Sequence, residues 1–77
     1  MPRFLFDVIE DGQASADTDG LDLPSVAAAR NEALRAATDM ARDKDACPKD
    51  IMIVVRKAAV GEPVATVRLS LTCDEAA

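Results

Sequence analysis

Hydrophobic and polar residues alternate over residues 3–9, which is the pattern of a β-strand that buries one side in a core. Asp7 lies on the same side as Leu5 and Ile9, so we expect the opposite side to face the core. That opposite side carries Phe4 and Phe6. The pattern therefore predicts a first strand whose aromatic side chains build the interior.

The stretch after this strand has little apolar periodicity. Residues 10–12 contain an Asp-Gly pair typical of a turn, and we interpret residues 13–20 as a loop. Residues 20–23 could form a short second strand before the proline at position 24.

Residues 25–44 carry the clearest helix signal. Ser25 is a good N-cap, and apolar residues recur after it every three or four positions. The predicted buried stripe is rich in alanine, which allows a helix to approach its neighbour closely. It consists of Val26, Ala29, Ala33, Ala37 and Met40.

Two further strands are predicted at 51–57 and 64–73, and a hairpin is the simplest connection between them. Residues 74–77 read as a frayed tail. The order of elements is β-β-α-β-β in one small domain over 1–77. We therefore expect an α+β fold in which one helix packs on one face of a three- to four-stranded antiparallel sheet.

A single helix covers only one face of such a sheet. Strand alternation places four aliphatic residues on the uncovered face, which makes that face more apolar than a solvated surface usually is. Scattered exposed aliphatic residues are the plain alternative. The four residues are Leu5, Ile9, Met52 and Val54.

Composition adds a reason to expect self-association. The chain has 77 residues, and although 49% are hydrophobic, 15 of these are alanine, so the core must be small. A monomer of this size is marginally stable because it buries only about 60% of the surface that its unfolded chain exposes. The sequence thus favours a homodimer formed through the open sheet face or an edge strand.

The charge of the chain is unevenly distributed. The net charge is −5, yet residues 7–22 alone sum to −6 because they hold six carboxylates and no basic residue. An acidic surface opposes nucleic-acid binding, which depends on lysine and arginine. The segment is either a solvated loop or, through Asp17, Asp19 and Asp22, a docking surface for a basic protein.

The cysteines and the chain's polarity suggest a compartment. Cys47 and Cys73 are 26 residues apart and belong to no zinc or thioredoxin motif, so we expect reduced structural thiols. No apolar run approaches the ~20 residues of a membrane span, and the first residues do not form a signal peptide. These observations favour a cytoplasmic protein without a membrane segment.

No constellation of residues indicates catalysis, a metal or a cofactor. Residues 15–26 fail as a calcium loop because Ser15 and Val26 occupy its first and twelfth ligand positions. The chain has no histidine or tyrosine to activate a nucleophile. Arg56 and Arg68 share the outer sheet face, where we expect them to be hydrogen-bonded or solvated. We therefore expect neither an enzyme nor a cofactor-binding protein.

Four short motifs follow one another along the chain. They are Met1-Pro2-Arg3-Phe4-x-Phe6-Asp7-Val8, Asp17-x-x-Gly20-x-x-Leu23, Ala28-Ala29-Arg30-x-Glu32-Ala33 and Ile53-x-Val55-Arg56. In this order and spacing they resemble a family of short bacterial proteins of unknown function. This resemblance covers nearly the whole chain and implies no activity, cofactor or catalytic residue.

The order of strands around one helix is also loosely similar to antitoxins of the HicB type. That likeness does not extend to the DNA-binding segment that such antitoxins usually append, so it implies no repressor role. Two functions follow as hypotheses. One is a non-catalytic homodimer, and the alternative is an antitoxin-like or adaptor-like module that binds a basic protein through residues 7–22.

Overall fold

The computed structural model describes residues 1–42 and 47–75. It is an α+β fold with one helix on an open, antiparallel five-stranded sheet, so the predicted fold class is confirmed. The strands lie in the order β2-β1-β4-β5, and β3 pairs with the same edge of β1 as β2 does. The elements are β1 (Arg3–Glu10), β2 (Gln13–Ser15), β3 (Leu21–Asp22), α1 (Val26–Ala41), β4 (Lys49–Lys57) and β5 (Pro63–Leu71).

Strand β2 corrects the prediction of a loop over 13–20 and raises the strand number from the expected three or four to five. Asp11 and Gly12 both have positive φ, 50° and 86°, between the paired residues Glu10 and Gln13. Two such residues form the type I′ turn that connects tight hairpins. The turn holds β2 against β1. The three residues of β2 are all exposed, so the strand shows no apolar periodicity in the sequence.

Helix α1 begins where the sequence predicts. The Ser25 hydroxyl accepts a hydrogen bond from the Ala28 N–H at 3.1 Å, which satisfies a free donor of the first turn. The helix ends at Ala41, and the predicted extension to residue 44 falls partly outside the described residues. Val26 is 37% exposed and does not belong to the buried stripe, because it is the first residue of α1 and lies before the first buried alanine, Ala29.

The core lies between α1 and the sheet. Phe4 is fully buried, which confirms that the aromatic side of β1 faces inward. Three alanines of α1 have no exposed surface, and their small side chains let the helix backbone lie close to β4 and β5. The buried residues are Phe4, Ala29, Ala33, Ala37, Ile51, Ile53 and Val55.

The hairpin of β4 and β5 also corrects the prediction for the cysteines. Cys47 and Cys73 form a disulfide with a Cα–Cα distance of 6.1 Å, so they are not reduced thiols in this structure. The register explains the contact. Lys49 pairs with Leu71, and the same register carried two residues further places Cys47 opposite Cys73. Strand β5 ends at Leu71, two residues before the predicted end at 73, and residues 72–75 are exposed and have no regular structure. Residues 76 and 77 of the predicted tail lie outside the described residues.

Candidate functional site: the two edges of the sheet

The outer edge of β1 is bridged along its length. β3 pairs with its first residues, Arg3 and Phe4, and β2 pairs with its last, Val8 to Glu10. Between them the carboxylate of Asp17 accepts a hydrogen bond from the Phe6 N–H at 3.1 Å. A side chain thus replaces the strand that is missing at the centre of this edge.

Asp17 also organises the loop that carries it. Its Oδ1 accepts hydrogen bonds from the N–H groups of Asp19 and Gly20 at 3.1 and 3.3 Å. Partial burial raises the pKa of Asp17, but the three backbone donors outweigh burial and the net pKa lies below the ordinary value. The carboxylate therefore stays charged and holds the loop against β1.

Asp7 connects this loop to the open face of the sheet. Its Oδ1 accepts a hydrogen bond from the Asp17 N–H at 3.0 Å, and both of its oxygens accept from Arg56, at 2.6 and 3.1 Å. The paired side chains are about a quarter exposed. The hydrogen bond from Arg56 is the main reason that the pKa of Asp7 is lowered. This network joins β1, β4 and the loop.

Gly20 lets the chain pass very close to β1. Its φ is +75°, and a Cβ at this position would lie 2.5 Å from the carbonyl oxygen of Phe4. A contact that short is not compatible with any side chain, so this position requires glycine.

Most carboxylates of the predicted acidic surface form ion pairs or hydrogen bonds with other groups of the same chain. Asp22 pairs with Arg3 at 3.0 Å, and this hydrogen bond is the main cause of the lowered pKa of Asp22. Asp7 pairs with Arg56, and Glu10 pairs with Lys49. Asp17 points toward β1, so the structure does not bring Asp17, Asp19 and Asp22 together as one outward-facing surface. Within residues 7–22, most of the negative charge already has a partner.

The open face holds the four predicted aliphatic residues. The β1–β4 register places Ile9 opposite Met52, and strand alternation puts Leu5 and Val54 on the same face. All four are half-buried. Three ion pairs lie among them, which confirms that Arg56 and Arg68 are hydrogen-bonded. The pairs are Arg3–Asp22, Arg56–Asp7 and Arg68–Asp50.

The opposite edge of the sheet is formed by β5, which pairs only with β4 among the described strands. The Phe6 N–H points away from β4, so Phe6 and its partner Val55 do not exchange hydrogen bonds. The N–H and C=O groups of Val55 therefore point toward β5, where Ala65 faces them. Since consecutive residues of an antiparallel ladder alternate in direction, Thr66 directs its N–H and C=O outward. The same alternation applies to Arg68 and Ser70.

This free edge has little protection. Pro63 and a bulge next to Val55 blunt its first two residues, but the remainder is regular and rich in β-branched and leucine residues. Natural edge strands usually carry more charges, bulges or covering loops. The helix above it also exposes a large apolar side chain, because Leu34 is 52% exposed.

Two shallow grooves lie at the end of the sheet near the β1–β2 turn. The larger measures about 370 Å³ and is lined by Val8, Glu10, Asp11, Gln13 and Ser15. Within residues 1–42 and 47–75, no three His, Cys, Asp or Glu side chains are grouped so that they could hold a metal ion. No described helix is long and apolar enough to cross a membrane.

Two features of this site were missed by sequence reasoning. The Asp-Gly pair at 11–12 is the dipeptide that favours a type I′ hairpin, so it could have indicated β2. No pattern in the sequence indicates the hydrogen bond from the Phe6 N–H to Asp17, because this bond depends on the path of the loop that carries Asp17.

Comparison with known proteins places the chain in a family without giving it an activity. No curated protein matches it, and no solved structure matches it. Residues 3–70 match the family described as domain of unknown function DUF6894, which is most of the 77-residue chain. The chain therefore belongs to the DUF6894 family, as the order of its sequence motifs indicated.

Proposed function

We propose that this protein is a non-catalytic homodimer in which the β5 strands of two copies pair antiparallel to form one continuous sheet. The observation that carries the proposal is the contrast between the two edges. The β1 edge is bridged by two short strands and Asp17, whereas the regular part of β5 has free outward-facing backbone groups. An edge of this kind is a template for another strand.

The amount of exposed surface supports the same proposal. Folded monomers of 8.1 kDa expose about 4,500 Å² according to the scaling of surface with mass. This chain exposes 5305 Å². Exposed residues at the start of the chain, such as Met1, contribute part of the excess, and pairing with a second copy would cover another part.

The sequence of β5 is compatible with pairing to itself. In a register centred on Val67, Thr66 lies opposite Arg68 of the second copy, and no like charges face each other. A register centred on Arg68 would place two guanidinium groups directly opposite, which is destabilising. In this register, the apolar residues of β5 that face the helix also lie beside the same residues of the second copy.

Pairing through the open face is the other way to form a homodimer, and it has less support. The Arg56–Asp7, Arg68–Asp50 and Arg3–Asp22 pairs would lose water when two such faces met. Desolvating ion pairs costs free energy that their attraction often does not return. Val54→Lys separates the two modes: it disrupts packing through the open face and leaves pairing through β5 intact.

The sharpest test uses Thr66→Pro. The Thr66 N–H points away from β4, so proline removes an outward donor and no bond of the β4–β5 ladder. We expect the wild-type protein and the control Thr66→Ala to have a molar mass near twice 8.1 kDa by light scattering, and Thr66→Pro to be a monomer. A dimeric Thr66→Pro with an unchanged circular dichroism spectrum would overturn the proposal.

The alternative function is an antitoxin-like or adaptor-like module that binds a basic protein through residues 7–22. It is supported by the net charge of −6 in that segment. It is weakened by the internal partners of Asp7, Asp17 and Asp22. Binding to a basic protein that weakens with salt, and that Asp19→Asn reduces, would favour this alternative.

We place the proposed homodimer in the bacterial cytoplasm. Reducing systems there keep most cysteines as thiols, so this location implies that Cys47 and Cys73 are reduced in the cell and form their bond on oxidation. Alkylation of intact cells before lysis tests the location. Two modified cysteines would support it, and protection of both would indicate an oxidising compartment.

A further inference from the structure

We infer that helix α1 of each copy packs against α1 of the second copy across the two-fold axis, with Leu34 meeting Leu34 near that axis. This inference rests on the proposed pairing of β5 strands and adds a second layer to that interface. It begins from the position of the helix. Among the strands, α1 packs mainly on β4 and β5, so it lies beside the free edge of the sheet.

Strand spacing gives the separation of the two helices. Neighbouring strands are ~4.8 Å apart. If the axis of α1 runs above the line midway between β4 and β5, it is displaced by about 2.4 Å from β5 toward β4. Pairing of β5 with a second copy then separates the two helix axes by about 10 Å. Helices pack at roughly 8–10 Å, so the strand pairing brings the helices to contact distance.

The connection between β3 and β4 determines which side of α1 faces β5. Both strands are antiparallel to β1 and therefore parallel to each other, and α1 joins them across one face of the sheet. Such connections are right-handed in about 98% of cases. With that hand, the flank of α1 that contains Leu34 is directed toward β5, and the flank with Glu32 and Arg35 is directed toward β1.

The sequence of this flank is suited to a helix pair. Ala27, Leu34 and Ala41 recur at seven-residue spacing, which keeps them on one side of α1 over four turns. Leu34 is 52% exposed. Leu34 lies at the middle of α1 and Val67 at the middle of β5, and the proposal places both at the two-fold axis.

The interface area needs this second layer. In a register centred on Val67, the regular part of β5 that pairs is residues 65–69, which is about 17 Å long; with a sheet about 10 Å thick, the edge alone buries roughly 170 Å² per copy. The total of ~340 Å² is well below the ~1,000 Å² of a specific interface. A helix of 16 residues adds a flank about 24 Å long, which more than doubles the contact area.

Leu34→Cys tests the contact directly. Under mild oxidation we expect the introduced thiols of two copies to form a disulfide with each other, identified by peptide mapping so that Cys47 and Cys73 are distinguished. Arg35→Cys, which is one residue away on the other flank, is the matched control and should not form a link between copies.

Leu34→Glu provides a second readout. We expect it to weaken dimerisation at least ~10-fold, which corresponds to about 1.4 kcal/mol, because an apolar contact at the axis is replaced by two like charges. Arg35→Glu is its control and should have little effect.

The outcomes separate the two proposals. A dimer that Thr66→Pro dissociates, but in which the Leu34→Cys thiols never link, would overturn the helix contact and leave the strand pairing standing. If the Leu34→Cys thiols still link when Thr66→Pro is added, in a protein whose molar mass is already dimeric under reducing conditions, the helix contact would be supported and the strand pairing overturned. A monomeric wild-type protein would overturn both.

Discussion

The carboxylate of Asp17 accepts a hydrogen bond from the backbone N–H of Phe6 at 3.1 Å, in the part of the β1 edge that neither β2 nor β3 reaches. A single side chain thereby closes an edge that would otherwise expose a backbone donor. The β5 edge has no equivalent among the described residues. This difference between two edges of one sheet is the basis of the proposed dimer.

Loss of this carboxylate should destabilise the fold. Asp17→Ala leaves the N–H groups of Phe6, Asp19 and Gly20 without their acceptor. Unsatisfied, partly buried donors cost about 1–3 kcal/mol, so we expect the free energy of unfolding to fall by that amount. Urea unfolding followed by circular dichroism measures it, since the chain has no tryptophan or tyrosine.

Asp19→Ala is the matched control for this prediction. Asp19 is exposed and belongs to the same loop, so we expect a change within about 0.5 kcal/mol. Equal effects of Asp17→Ala and Asp19→Ala would show that the bond to Phe6 contributes nothing to stability.

Stability should fall in acid. The pKa values of Asp7, Asp17, Asp22 and Asp50 are lowered in the folded protein, so each carboxylate favours folding when it is charged. This contribution is present above the unfolded pKa of ~3.9 and is lost as the pH falls through the lower folded values. At fixed protein concentration, the urea midpoint should be steady from about pH 7 to 5 and decrease below about pH 4.

Asp7→Asn tests which group causes this decrease. The variant should be less stable than wild type at pH 7 because Arg56 loses its charged partner, and its midpoint should depend less on pH below about 5. A wild-type midpoint that rises as the pH falls from about 5 to 3 would contradict the sign of these pKa shifts.

Gly20→Ala should be much more harmful than Gly61→Ala. Both glycines have positive φ, +75° and +78°, so both variants lose about 1 kcal/mol from the strained backbone. Only the Cβ at position 20 would lie 2.5 Å from a backbone oxygen, whereas nothing lies within 4 Å at position 61. Thermal unfolding should place Gly20→Ala clearly below Gly61→Ala, and similar midpoints would exclude the close approach to Phe4.

Reduction of the Cys47–Cys73 disulfide should lower stability. The bond closes a loop with a sequence separation of 26, and disulfides of that span stabilise by about 2–4 kcal/mol. Urea unfolding with and without dithiothreitol measures the effect. The Cys47→Ser/Cys73→Ser double variant is the control and should not respond to reductant. Identical wild-type midpoints in both conditions would show that the bond does not contribute.

The regular elements of the fold follow from local patterns. Alternation predicts β1 and β5, a short run that is apolar on both sides predicts β4, and the spacing of apolar residues together with Ser25 predicts the start of α1. These signals lie within each segment, so one sequence is enough to find them. The same alternation places Leu5, Ile9, Met52 and Val54 on the open face.

The contacts between distant segments are harder to predict. The Cys47–Cys73 pair follows from the β4–β5 register, but only once the pairing of Lys49 with Leu71 is known. The bond between Asp17 and Phe6 depends on how the loop folds back over β1. Charge counting alone therefore treats Asp17 as a surface residue, although its carboxylate points toward the sheet.

Hydrogen exchange of the β5 amides, measured by NMR over a dilution series, tests the proposed pairing most directly. The N–H groups of Ala65 and Val67 bond to β4 and should be protected at every concentration. We predict that Thr66 and Arg68 are protected at concentrations where the molar mass is twice 8.1 kDa and lose protection on dilution. Rapid exchange of Thr66 and Arg68 in a protein of dimeric mass would contradict the pairing of β5 strands.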